Sequence, residues 1–257
     1  MCCARQFFKY VYLLFCQTDE YRNTIKNIFF KNNTDFNTKS YITGFPKYDN
    51  IQSYRNSESP IWKFKKSERY FRIIWTPRWT TKENTCHFFV YKDNFFEYAD
   101  KHKDIDFVFR PHPHCFVDYL NRKEITEKEI KKYLNEYEKR NNMTIDYNKD
   151  YLPLFYSSDV LVTDISSIII EYFLTGKPII YCHKTDLFNS FARKLSEGFY
   201  FAHNWYEVEH FLEQLKSGND PLKEKREWLI KSEFNFPPEG AGQLIKSTLL
   251  DDFLGKI

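Results

Sequence analysis

The sequence has no Cys-x-x-Cys pair and no cysteine–histidine spacing of the kind that encloses a metal; its six cysteines (Cys2, Cys3, Cys16, Cys86, Cys115 and Cys182) are scattered. That pattern argues against a zinc module and suits reduced thiols better than a disulfide framework. Long hydrophobic runs are missing too. The longest apolar stretch near the start, Tyr10 to Cys16, has seven residues, too few to cross a bilayer, and no small-residue cleavage site follows before Gln17, Thr18, Asp19 and Glu20. The expectation is a soluble, unexported, cytoplasmic chain, with work at the inner face of the cell membrane left open. A polybasic block is absent as well: 38 Lys and Arg against 35 Asp and Glu leave a net charge of +3 with the signs interspersed, which does not favour nucleic acid as a partner. There is no internal repeat, no histidine before His87, and no His-Gly pair anywhere.

What the chain does have is aromatic bulk. Its 257 residues include 26 Phe, 19 Tyr and 5 Trp, with 42% hydrophobic residues overall, enough for a sizeable core and too much for wholesale disorder. The length allows one large domain or one domain plus a fragment. From about Arg69 onward, short β-branched or aromatic runs alternate with helical patterns, the signature of βα units and a parallel sheet. The spacing predicts strands at Tyr70 to Trp75, Ile105 to Phe109, Met143 to Tyr147, Asp159 to Thr163, Pro178 to Cys182 and Phe199 to Ala202. Thr126 with Glu129 forms a capping box, Asn204 with Glu207 opens a second helix, and Asp220-Pro221 starts a third. The expected fold is α/β with a Rossmann-like parallel sheet over residues 61–257. Residues 1–60 differ, with a Phe/Tyr-rich helix-like start and then Asn/Thr/Lys-rich and Ser/Asn/Glu-rich stretches, and are expected to be the tail of another domain and a linker.

Three segments carry candidate chemistry. The first runs from Ser158 through Thr163-Asp164 to Ser166, Ser167 and Glu171. A strand ends at Thr163, which puts the serine hydroxyls near the start of the next helix, where free backbone N–H groups and the helix dipole favour a phosphate. Glu171, about one turn in, is placed to accept hydrogen bonds from ribose hydroxyls; the alternative is that Asp164 or Ser166 merely caps the helix. The second is Arg110-Pro111-His112-Pro113-His114, at the strand edge that faces the ligand crevice of an open α/β sheet. Arg110 offers a fork to phosphate oxygens, His112 is held between prolines, and His114 reads as a helix start. The third is Thr76-Pro77-Arg78-Trp79, where Arg78 is a second phosphate contact or part of a solvated loop with Trp79 packed on the sheet.

Together these segments resemble the CDP-glycerol glycerophosphotransferase family, the teichoic acid and capsule polymerases and primases of GT-B fold. The family pattern Gly-x-Pro-Arg-x-Asp is approached by Gly44-Phe45-Pro46-Lys47-Tyr48-Asp49, its Pro-His-Pro motif is Pro111-His112-Pro113, its Ser-Asp-x-x-Ile-Thr-Asp-x-Ser-Ser motif is Ser158 to Ser167 with Val162 in the place of Ile, and its Lys-Pro strand start is Lys177-Pro178. The resemblance implies the C-terminal half of a GT-B fold with a short N-terminal remnant. It implies CDP-glycerol or another CDP-alditol as donor substrate and a polymeric or lipid-linked hydroxyl acceptor, with no metal assigned. His112 is then the catalytic residue, and Arg78, Arg110, Thr163, Asp164, Ser166, Ser167 and Glu171 hold the donor. The family's His-Gly base has no counterpart here, so the chain is expected to bind its donor and transfer poorly by itself. A nucleotide-sugar glycosyltransferase or epimerase of the same architecture, or a non-catalytic nucleotide-binding fragment, are the competing expectations; Glu171 in particular is the residue such glycosyltransferases use for ribose.

Overall fold

The computed structural model describes residues 10–27, 38–182, 184–185 and 187–256; Cys2 and Cys3, and most of the Asn/Thr/Lys-rich stretch, lie outside them. In chain order, the N-terminal segment holds β1 (Leu13–Cys16), α1 (Asp19–Ile25) and β2 (Lys39–Ile42). The central part holds β3 (Phe71–Thr76), α2 (Phe88–Lys101), β4 (Ile105–Phe109), α3 (Cys115–Asn121), α4 (Glu127–Glu138) and β5 (Met143–Ile145). It continues with α5 (Leu152–Ser157), β6 (Val160–Thr163), α6 (Ile168–Phe173), β7 (Ile179–Cys182), α7 (Ser190–Leu195), β8 (Tyr200–Ala202) and α8 (Trp205–Lys216), before α9 (Lys223–Glu233) and α10 (Ala241–Phe253). Two compact units result: residues 54–227, and residues 1–53 with 228–257. The last thirty residues therefore group with the N-terminal segment, whereas the sequence predicts them as part of the sheet domain.

All six expected strands of the larger unit form, and every pairing is parallel, in the order β5-β4-β3-β6-β7-β8. The chain winds outward from β3 in one direction and from β6 in the other, so β3 and β6 flank the point where the winding reverses. That is where an open α/β sheet leaves a crevice beyond its strand C-termini. Near-continuous apolar runs in β3, β4, β6 and β7 are what a sheet covered on both faces requires. Trp75 is fully buried, with the rings of Phe88, Phe95, Phe107 and Phe109 at 4.5 to 6.5 Å; such aromatic pairs add roughly 0.5–1.5 kcal/mol each beyond the area they bury. The caps at Thr126 and Asn204 form as the sequence predicts. The third helix starts two residues late, at Lys223, because the Asp220 carboxylate is spent on buried Arg226 and on the Tyr200 hydroxyl.

In the smaller unit the helix-like start gives way to a strand: β1 pairs in parallel with β2, Leu13 opposite Lys39 through Cys16 opposite Ile42. The Gly-x-Pro-x-x-Asp motif has a physical role here. Gly44 has φ of +77°, and a Cβ on it would come within 2.5 Å of the Asn235 carbonyl oxygen. Asp49 accepts the amides of Ala241 (2.7 Å) and Gly242 (2.8 Å), capping α10 from 192 residues upstream. Its carboxylate is thereby committed to a helix terminus.

Candidate functional site

At the C-terminal edge of the sheet, Thr76 and Thr163 face each other across β3 and β6, their hydroxyls 2.8 Å apart. Thr163 also donates toward the carbonyls of Thr76 and Asp164, at 2.9 Å each. Fully buried, it ties two strands together and turns no hydroxyl toward the crevice. Asp164, 1% exposed, does not cap α6, whose N-cap is Ser167. Its Oδ2 accepts the backbone amides of Arg78 (2.8 Å) and His87 (2.9 Å), and its Oδ1 lies 2.7 Å from His87 Nδ1. The carboxylate therefore anchors the β3–α2 loop, which carries Arg78 and Trp79.

Arg78, Ser166 and Ser167 are brought together. They share a cavity of about 220 Å³ whose other walls include Ile165, Ile169, Leu187, Phe188 and Phe199. Ser167 is the N-cap of α6 but its side chain caps nothing, so both serine hydroxyls are uncommitted among the described residues. Arg78 reaches the Ile165 carbonyl at 3.3 Å and pairs with half-exposed Glu83, while its Nε is buried without a partner among the described residues. The cavity wall thus carries a guanidinium and two hydroxyls that make no hydrogen bond among the described residues.

His112 is exposed, at the start of the turn into α3. Its Nδ1 accepts the His114 amide at 3.1 Å, which leaves the proton of the neutral ring on Nε2. Partial desolvation, then the charges of His114 and Arg78, shift its pKa below the ordinary 6.5. Trp79, partly buried against the core, has its ring 5.9 Å from that of His112 and under the Arg78 guanidinium at 5.7 Å. Trp79 packs against the core, as the loop alternative for this segment has it, and its ring stands between the Arg78 guanidinium and the His112 ring. His114 is the N-cap of α3, as expected.

Arg110 and Glu171 are engaged elsewhere. Arg110 pairs with Asp146, which is 1% exposed, donates to the Asn148 carbonyl at 2.8 Å, and lies 5.0 Å over the Tyr151 ring. Glu171 accepts the Tyr151 hydroxyl. The fork and the carboxylate thus belong to one structural chain across α5. Sequence reasoning missed His87, Asp146 and Tyr151, whose partners lie 77, 36 and 20 residues away; no local pattern marks such contacts. Lys177, of the Lys-Pro strand start, is also inward: it donates to the Tyr156 and Ser158 carbonyls, and burial pulls its pKa down to about 8.

Three comparisons bear on this arrangement. The sequence model of the family described as CDP-Glycerol:Poly(glycerophosphate) glycerophosphotransferase matches residues 17–231. The minor teichoic acid biosynthesis protein GgaB of Bacillus subtilis (strain 168) is 24% identical over 174 residues, which is 63% of this chain and 17% of that protein. Among solved structures, UDP-GlcNAc 2-epimerase from Neisseria meningitidis, bound to UDP-GlcNAc, superposes with a TM-score of 0.56 at 16% identity over 91% of this chain and 59% of that one. A variant of the wall teichoic acid polymerase TagF soaked with CDPG gives 0.55 at 19% identity over 95% and 58%. These neighbours share the GT-B fold. The chain spans about a sixth of the length of the GgaB protein and under three fifths of the solved chains.

Proposed function

The chain belongs to the CDP-glycerol:poly(glycerophosphate) glycerophosphotransferase family, and from that premise we propose that it holds the diphosphate of a CDP-activated glycerol or similar alditol in the Arg78–Ser166–Ser167 cavity. The observation that supports this reading is that Arg78, Ser166 and Ser167 line one cavity, with both serine hydroxyls making no hydrogen bond among the described residues. In the reaction an acceptor oxygen attacks the β-phosphorus, a new P–O bond forms, the bond to the bridging oxygen breaks, and CMP departs with that oxygen; the acceptor's proton passes to a base or to solvent. Charge accumulates on the peripheral phosphoryl oxygens, so catalysis rests on positioned donors. Arg78 supplies a guanidinium, Ser166 and Ser167 supply O–H groups, and His112 supplies its outward Nε2–H. On this reading the acceptor is a hydroxyl of a teichoic acid or capsular polymer, free or lipid-linked, met at the inner face of the membrane.

Calorimetric titration with CDP-glycerol and, separately, with UDP-GlcNAc tests the proposal. Binding of the first and not the second is expected. The reverse preference would assign the cavity to a nucleotide sugar, consistent with the fold shared with the epimerase.

A further inference from the structure

His87 is absent from every motif, yet it makes two of the three hydrogen bonds to the Asp164 carboxylate. Both oxygens of that carboxylate are needed: Oδ2 gathers the amides of Arg78 and His87, the two ends of the β3–α2 loop, and Oδ1 is held by the His87 ring. His87 is 5% exposed, and its ring stacks on Tyr91 at 4.9 Å and 16°, one turn further along α2. The imidazole plane is thus fixed from one side by the stack and from the other by the carboxylate. The Arg78 carbonyl is held as firmly as its amide, accepting the Tyr119 hydroxyl at 2.6 Å and the Cys86 thiol at 3.2 Å. A backbone pinned at both N–H and C=O starts the Arg78 side chain from one place.

We propose that His87 is a positioning residue for the donor site: its Nδ1–H locks the Asp164 carboxylate in the orientation that staples the loop and sets Arg78 beside Ser166 and Ser167. The proposal rests on the donor-site reading for its purpose, although the staple itself does not depend on any ligand. Without the ring, Oδ1 becomes a buried carboxylate oxygen with no donor, and the carboxylate is driven to turn toward water. That turn releases the two amides.

Asparagine carries an N–H donor near the place of Nδ1, whereas glutamine carries it near Nε2, so His87→Asn and His87→Gln separate the hydrogen bond from mere bulk. In amide hydrogen exchange, His87→Gln should lose protection at Arg78 and His87 by about tenfold or more, the scale of one lost bond, with the amides of β3 and β4 unchanged. His87→Asn should stay within about threefold of wild type. Titration with CDP-glycerol should follow the same order, the affinity of His87→Gln falling about tenfold. Wild-type exchange at Arg78 and His87 in the glutamine variant, or equal losses of affinity in both variants, would overturn the staple. Wild-type protein that does not bind CDP-glycerol would instead refute the donor reading, and the exchange data would then judge the staple alone.

Discussion

Ser166 and Ser167 differ from the other candidate residues in having nothing else to do. Their hydroxyls make no hydrogen bond among the described residues, so removing them deprives the fold of nothing, whereas a phosphate would lose two donors. Ser166→Ala with Ser167→Ala should therefore leave the thermal midpoint unchanged and weaken nucleotide-diphosphate binding by about 1–2 kcal/mol per hydroxyl, measurable by calorimetry. The two arginines divide in the same way. Arg78→Ala should reduce donor binding in a folded protein. Arg110→Ala should act through stability, because it leaves the buried Asp146 carboxylate with only its two bonds from Asn148 among the described residues; breaking a buried pair from one side costs up to about 3–5 kcal/mol, and chemical denaturation would register it. If Arg110→Ala folds as stably as wild type and loses only donor affinity, Arg110 belongs to the donor site after all. His112 calls for a kinetic measurement: as a donor to charge that develops in transfer, its replacement by Ala should lower turnover more than donor affinity.

At the level of elements, the six strands and two of the three anticipated helix starts were legible, since hydrophobic period and capping residues are local. Leu13–Cys16 was misread because a seven-residue apolar run fits either state; parallel pairing with Lys39–Ile42 decides it, and that contact has no local signature. The site was legible in part for the same reason. Ser166, Ser167, Arg78 and His112 follow strand ends and could be placed by topology alone. The burial of Thr163 and Asp164, and the engagement of Arg110 by Asp146 and of Glu171 by Tyr151, depend on partners distant in sequence. The Gly44–Asp49 motif shows how a family pattern can be architectural. Asp49→Ala should uncap α10 and cost about 1–2 kcal/mol, seen as faster amide exchange over residues 241–253. Gly44→Ala should cost more, since positive φ and the Asn235 carbonyl at 2.5 Å both oppose a Cβ.

Across the whole sheet, the two edges are built for different purposes. The C-terminal edge presents uncommitted donors, while the N-terminal edge buries charges for structure: Arg72 and Asp106 sit opposite each other in β3 and β4, and Asp159 and Lys177 precede β6 and β7. Asp106 is fully buried; its Oδ2 accepts the Phe64 amide at 3.0 Å and its Oδ1 has no partner among the described residues. Burial pushes its pKa up to about 6, against which the Phe64 amide and Arg72 pull only in part. A carboxyl that holds its proton more tightly when folded than when unfolded makes the folded state bind more protons between the two pKa values. Stability from this group therefore falls as pH rises from about 4 to about 6, and above that range the full penalty, on the order of 2–3 kcal/mol, is in force. Asp106→Asn keeps an acceptor for Phe64 and abolishes the charge, so it should be more stable than wild type at pH 7. That advantage should shrink through pH 6 and 5 and vanish near pH 4, where the wild-type carboxyl is itself neutral. Denaturation midpoints of the two proteins across pH 4 to 7.5 measure the difference directly. A gap that is independent of pH would show that Asp106 is ionised throughout, its charge fully balanced by Arg72.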